Sequence, residues 1–163
     1  MKARRVGNVH ATLRWMCELL PKENIPYQIS GSVAAIAHGA KRSTDEIDLF
    51  VSAAQFSKVF RLIVSHVVAY AWRRVDDDWD RLTLSLEHDG TRVTISVAEG
   101  AQFREAATQE WLEAEVNLEA SEMKMVFGIE VSIMPRHQLL DQMRRLDREI
   151  DRRDIRDITE ASS

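Results

Sequence analysis

The sequence predicts one α/β domain of the α+β kind, a short mixed β-sheet with helices packed on it. Three observations carry this reading. The chain of 163 residues is 45% hydrophobic and 29% charged, which supplies one buried core and is too apolar for a disordered chain. Apolar patterns of period 2 and period 3.6 alternate along it. No Gly-, Ser- or Pro-rich linker and no internal repeat divides it, so residues 1–163 are read as a single domain closed by C-terminal helices over 135–162.

The elements follow in order. Val9, Leu13, Met16 and Leu20 recur at helical spacing ahead of Pro21, which predicts an amphipathic helix over 6–20. Tyr27-Gln28-Ile29-Ser30 alternates after Pro26 as a short strand. Gly31-Ser32, the run Val33-Ala34-Ala35-Ile36-Ala37-His38 and Gly39 read as a serine-capped helix with a glycine stop. In Glu46-Ile47-Asp48-Leu49-Phe50-Val51, the residues Ile47, Leu49 and Val51 alternate with Glu46, Asp48 and Phe50. This predicts a half-buried strand whose two carboxylates share a face. Phe56, Val59, Phe60, Ile63 and Val67 form a second helical stripe. Residues 81–98 pattern as a hairpin about His88-Asp89-Gly90, residues 100–121 as an acidic segment with some helix, and residues 123–133 as a second hairpin about Gly128. Pro135 opens a helix carrying Leu139, Leu140, Met143, Leu146 and Ile150, and a last short helix holds Ile155 and Ile158.

Composition excludes several functions. A net charge of -4 argues against a domain devoted to wrapping duplex nucleic acid. No apolar run reaches the ~20 residues of a membrane span, and the basic start Met1-Lys2-Ala3-Arg4-Arg5 leads into polar residues, so the expectation is a cytoplasmic protein without a membrane partner. Cys17, the single cysteine, reads as a core residue. The five histidines are scattered, and none falls in a zinc pattern. His38 reads as a partner of its helix C-terminus. Trp72, Trp79 and Trp111 read as partly exposed anchors of loops, and the mixed Arg and Asp/Glu of the last thirty residues as a solvated, salt-bridged helix.

Chemistry concentrates between Ser30 and Leu49. A strand running into Gly31-Ser32 at a helix start aims backbone N–H groups and a hydroxyl at one point, a seat for a phosphate. Glu46 and Asp48, two apart on a strand, project from one face and can share a hard divalent cation. Phosphate seat and paired carboxylates together are the minimum for metal-assisted nucleotidyl transfer.

The order Ser30-Gly31-Ser32, Ala35, His38-Gly39, Arg42, Thr44, Glu46-Ile47-Asp48-Leu49 resembles the signature of minimal nucleotidyltransferases of the DNA polymerase β superfamily. Leu139-Leu140 followed by Arg153-Asp154-Ile155-Arg156-Asp157-Ile158 is similar to the ending of its single-domain members. Together these segments cover about a third of the chain. The resemblance implies a nucleotidyltransferase-like fold in which Ser30, Gly31, Ser32, Arg42 and Thr44 bind a nucleoside triphosphate. It implies that Glu46 and Asp48 are catalytic and hold Mg2+, with an acceptor hydroxyl on a small molecule or tRNA. Some members instead belong to toxin–antitoxin modules, which implies a protein partner. The family pattern also calls for a third carboxylate on a later strand, where this chain has Arg92-Val93-Thr94-Ile95. A threonine hydroxyl cannot act as a base near pH 7. Of the acids nearby, Asp76, Asp77, Asp78 and Asp80 read as a solvated turn, and Glu99 falls on the opposite strand face.

Overall fold

The computed structural model describes residues 8–161. Helix α1 (Val9–Lys22) is capped by the Asn8 side chain, which accepts from Ala11 N–H at 3.0 Å, and it buries Val9, Leu13, Met16 and Leu20. Pro21 does not end it. The stop is Asn24 with φ 56°, after which Ile25 N–H bonds back to the Leu20 carbonyl at 2.9 Å. The predicted start at residues 6 and 7 lies outside the described residues.

Strand β1 (Gln28–Ser30) leads directly into α2 (Gly31–Ala37), and strand β2 (Glu46–Val51) leads into α3 (Ala53–Ile63). Glu99 Oε2 accepts from Ala53 N–H at 2.6 Å at the start of α3. Val67, read above as the end of a helical stripe, instead opens strand β3 (Val67–Val75) after a single 3₁₀ turn at Val64–His66. Hairpin β4 (Trp79–His88) and β5 (Thr91–Val97) turns on Asp89 and Gly90, both at positive φ, as a two-residue turn requires. The segment 100–121 forms strands β6 (Gln102–Arg104) and β7 (Trp111–Glu113) and one 3₁₀ turn, not α-helix. Hairpin β8 (Glu122–Val126) and β9 (Ile129–Ile133) follows. The C-terminal helices are α4 (Arg136–Leu146) and α5 (Glu149–Ala161), divided at Asp147 with φ 50°, so Ile150 belongs to the second.

The strands form one nine-stranded mixed sheet in the order β7-β6-β4-β5-β2-β1-β9-β8, with β3 on the other side of β4. Strand β2 lies at its centre, antiparallel to β1 and parallel to β5. Its Ile47, Leu49, Phe50 and Val51 are buried with Ile29, Val93, Ile95 and Ile133, so both faces of its C-terminal half enter the core. Only its first residues reach solvent, and those carry Glu46 and Asp48. Among the described residues, no helix is long and apolar enough to cross a membrane.

Candidate active site

Ser30 and Asp48 are register partners across β1 and β2, which brings the Gly31-Ser32 turn against the carboxylate. Gly31 has φ 61°, and a Cβ there would lie 2.8 Å from Asp48 Oδ2. Only glycine combines that backbone with that approach. Helix α2 has seven residues, too short for its dipole to carry a site. Ser32 is not a cap. It lies inside α2, buried, and its hydroxyl shares a 2.6 Å hydrogen bond with Thr44. Thr44 Oγ1 donates in turn to the Glu46 carbonyl at 3.1 Å. This relay fixes the loop before β2 and with it the positions of both carboxylates.

A cleft of about 580 Å³ opens here, and Ser30, Gly31, Ser32, Arg42, Thr44, Glu46 and Asp48 all line it. Burial pushes the Asp48 carboxyl up to about 6; nearby Arg81 opposes the rise and Glu46 adds to it. Taking a carboxylate out of water without a bonded cation is costly, and a divalent ion would relieve that cost. Two carboxylates with room for phosphate oxygens and water match the way Mg2+ is bound. Among the described residues, no group of three His, Cys, Asp or Glu is placed to hold a metal ion. Beside Asp48 stands Thr94, a residue without charge. It is the register partner of Asp48 on β5, lines the cleft and offers a hydroxyl 3.5 Å from that of Ser85.

Other residues sort into wall and scaffold. Asp76 holds the β3–β4 turn by accepting from Trp79 N–H at 2.8 Å, and Asp76, Asp77 and Asp78 line the cleft mouth. Trp79 lines the cleft too, with the Arg81 guanidinium 4.9 Å from its ring centre. Trp111 is 37% exposed, and the side chain of Trp72 lies outside the described residues. His38 is buried, its Nε2 2.7 Å from the Met134 carbonyl oxygen, and burial lowers its pKa. It stands off the cleft. Arg42 lines the cleft while its Nε donates to Asp154 Oδ1 at 3.0 Å. Next to it, Asp157 accepts from Lys41 N–H at 2.9 Å, so α5 clamps the loop that carries Arg42 and Thr44. Gly39 completes the clamp: a Cβ there would sit 2.6 Å from that of Ala161.

Sequence reasoning missed Arg74, Arg81 and Arg148, which also line the cleft. Arg74 and Arg81 are direct cross-strand partners on β3 and β4. Like charges so placed repel, and the acids Asp48, Asp76 and Glu46 offset this at Arg81. Arg148 lies 3.5 Å from Asp78 and bonds the buried Asp151 through Nε at 2.8 Å, tying the α4–α5 junction to the cleft mouth.

No protein-family model and no curated protein matches the sequence. Solved structures do. A Thermotoga maritima protein designated a nucleotidyltransferase superposes with a TM-score of 0.70 at 16% identity, over 93% of this chain and 92% of that one. The chain has a minimal nucleotidyltransferase fold. The lincosamide antibiotic adenylyltransferase LnuA, in its lincomycin-bound form, matches with a TM-score of 0.65 at 13% identity, over 94% of this chain and 98% of that one. ANT(2")-Ia in complex with adenylyl-2"-tobramycin gives 0.62 at 16% identity, over 96% and 91%. With coverage this complete, the nucleotidyltransferase fold accounts for α4 and α5 as well as the sheet.

Proposed function

We propose that the protein is a nucleotidyltransferase that binds a nucleoside triphosphate with Mg2+ and moves the nucleoside monophosphate to an acceptor hydroxyl on a small molecule or tRNA. The fit of Gly31 against the half-buried Asp48 carboxylate carries this reading, because a backbone held open for a carboxylate at a costly position is what a cation-dependent phosphate site requires. Glu46 and Asp48 would hold Mg2+, which when bound neutralises phosphate charge and polarises the reacting phosphorus. The Gly31 and Ser32 N–H groups receive phosphate oxygens, and the Ser32–Thr44 hydrogen bond keeps that turn and the carboxylates in one geometry. Arg74 and Arg81 supply positive charge on the opposite wall. The acceptor oxygen attacks the α-phosphorus, the bond to the β-phosphate breaks and pyrophosphate leaves. Thr94 cannot take the acceptor's proton, which passes to water.

Calorimetric titration of ATP, GTP, CTP and UTP with Mg2+ tests the proposal. The expected result is binding of at least one, abolished by Asp48→Ala. No binding of any by folded protein refutes it.

Thr94 beside Asp48 favours a second reading. In it, the chain is catalytically silent and acts by binding a protein partner, as in a toxin–antitoxin module. Transfer activity that appears only in Thr94→Asp supports this second reading. Labelling of a tRNA or small molecule by native protein, lost on Asp48→Ala, eliminates it.

A further inference from the structure

The sheet ends on β8, and among the described residues no strand or loop backbone bonds its outer side. Hairpin β8–β9 closes with Val126 opposite Ile129 around Phe127 and Gly128, both at positive φ. In such a hairpin the closing pair exchanges both hydrogen bonds, and so does every second pair beyond it. Val126, Lys124 and Glu122 are therefore bonded to β9, whereas the N–H and C=O groups of Met123 and Met125 point outward. Their side chains are exposed as well, Met123 by 58% and Met125 by 66%. An edge with free backbone groups and large apolar side chains is a template for another strand.

We infer that β8 is a self-association edge, on which a second copy of this chain pairs antiparallel about a two-fold axis at Met123. Two independent constraints select that register. An axis through Met123 or Met125 sets two outward-facing residues opposite each other as a hydrogen-bonded pair. An axis through Met125 would need Phe127, which is in the left-handed region, to continue the ladder, whereas an axis through Met123 needs Ser121, which is extended and offers its carbonyl while its N–H bonds Leu118. An axis through Lys124 would set the two copies of Lys124 face to face. With Met123 on the axis, Glu122 faces Lys124 of the second copy and Lys124 faces its Glu122, in the wider-spaced positions where side chains approach most closely. Met123 then packs on its own copy. The β8 lysine, which guards the edge against other strands, meets an opposite charge in this self-pairing. In the sheet order, β9 and β1 separate β8 from the carboxylate-bearing β2, so both clefts stay open.

Sedimentation velocity of the full chain over a concentration series tests this. The native protein is expected to dimerise reversibly. Glu122→Lys opposes lysine to lysine twice and should weaken the dimer about tenfold or more. Combining Glu122→Lys with Lys124→Glu restores opposite charges in this register and should recover the dimer, which also separates loss of pairing from loss of folding. A native chain that stays monomeric up to its solubility limit overturns the inference. So does a dimer indifferent to Glu122→Lys, or one that the double exchange fails to restore.

Discussion

Asp48 and Thr94 are register partners on the parallel strands β2 and β5, so their side chains leave the sheet side by side. The position beside the half-buried Asp48 carboxylate thus holds a threonine that is 8% exposed, its hydroxyl poorly bonded at 3.5 Å from that of Ser85. An aspartate there would stand next to Glu46 and Asp48, the pair proposed to hold Mg2+, and within reach of an incoming acceptor. Thr94→Asp is expected to raise the transfer rate by about 10²–10⁴-fold, the range for a positioned general base. Without Mg2+ it should lower stability by roughly 1–2 kcal/mol through carboxylate repulsion. Added Mg2+ should reverse that loss. Product formation and thermal unfolding with and without Mg2+ check both parts.

Gly31→Ala tests the seat. The new methyl would meet Asp48 Oδ2 at 2.8 Å on a backbone with φ 61°. Strain of this kind costs of order 1–3 kcal/mol, and its relief requires Asp48 to move. The expected outcome is a lower melting temperature together with loss of Mg2+-dependent triphosphate binding. Ser32→Ala is milder because the backbone N–H groups remain, and it should weaken binding less. Calorimetry on the two variants ranks them.

The near side of the site was legible because Ser30 to Asp48 lie close in sequence and each residue has a local reason to be there: a turn, a loop, a strand face. The far wall was not. Arg74 meets Arg81 only through a β3·β4 register that shifts between Val67 and Ala69 and again between Ala71 and Arg74, and no local pattern encodes such a shift. Those irregularities also break the alternation that would have marked β3, and Val67 continues the helical spacing from Ile63. Strands β6 and β7 are three residues each, too short for periodicity to register. The C-terminal Asp154 and Asp157 were noticed in sequence, but their task of holding the Arg42 loop depends on long-range packing.

Asp48 gives a pH prediction. Burial raises its carboxyl to about 6 in the folded chain, above its ordinary value of 3.8. The folded state therefore holds a proton between about pH 4 and 6 that the unfolded chain has released. That contribution to stability is fully present below pH 4 and is lost as pH rises through 6. In metal-free protein, Asp48→Asn should be more stable than native by roughly 3 kcal/mol at pH 8, with the difference vanishing toward pH 4. Mg2+ binding to native protein should weaken about tenfold per unit below pH 6, because the ion must displace the proton. Denaturant titrations and calorimetry across this range give both slopes.

The Arg42–Asp154 pair is asymmetric, and the asymmetry predicts unequal mutants. Asp154 is 2% exposed on its side chain, against 30% for Arg42. Burial raises the Asp154 pKa even though Arg42 opposes the rise. Arg42→Ala leaves a buried carboxylate without its cation and frees the loop carrying Thr44, so it should cost about 2–3 kcal/mol. Asp154→Asn keeps an acceptor for Arg42 Nε and removes the buried charge, so its cost should be under about 1 kcal/mol. Both should leave the sheet intact, as judged by circular dichroism. Only Arg42→Ala should also weaken triphosphate binding, since both residues line the cleft but Arg42 presents a cation to the phosphates whereas Asp154 presents an anion. Equal losses in the two variants would mean that the pair acts on stability alone and that the Arg42 guanidinium takes no part in holding the nucleotide.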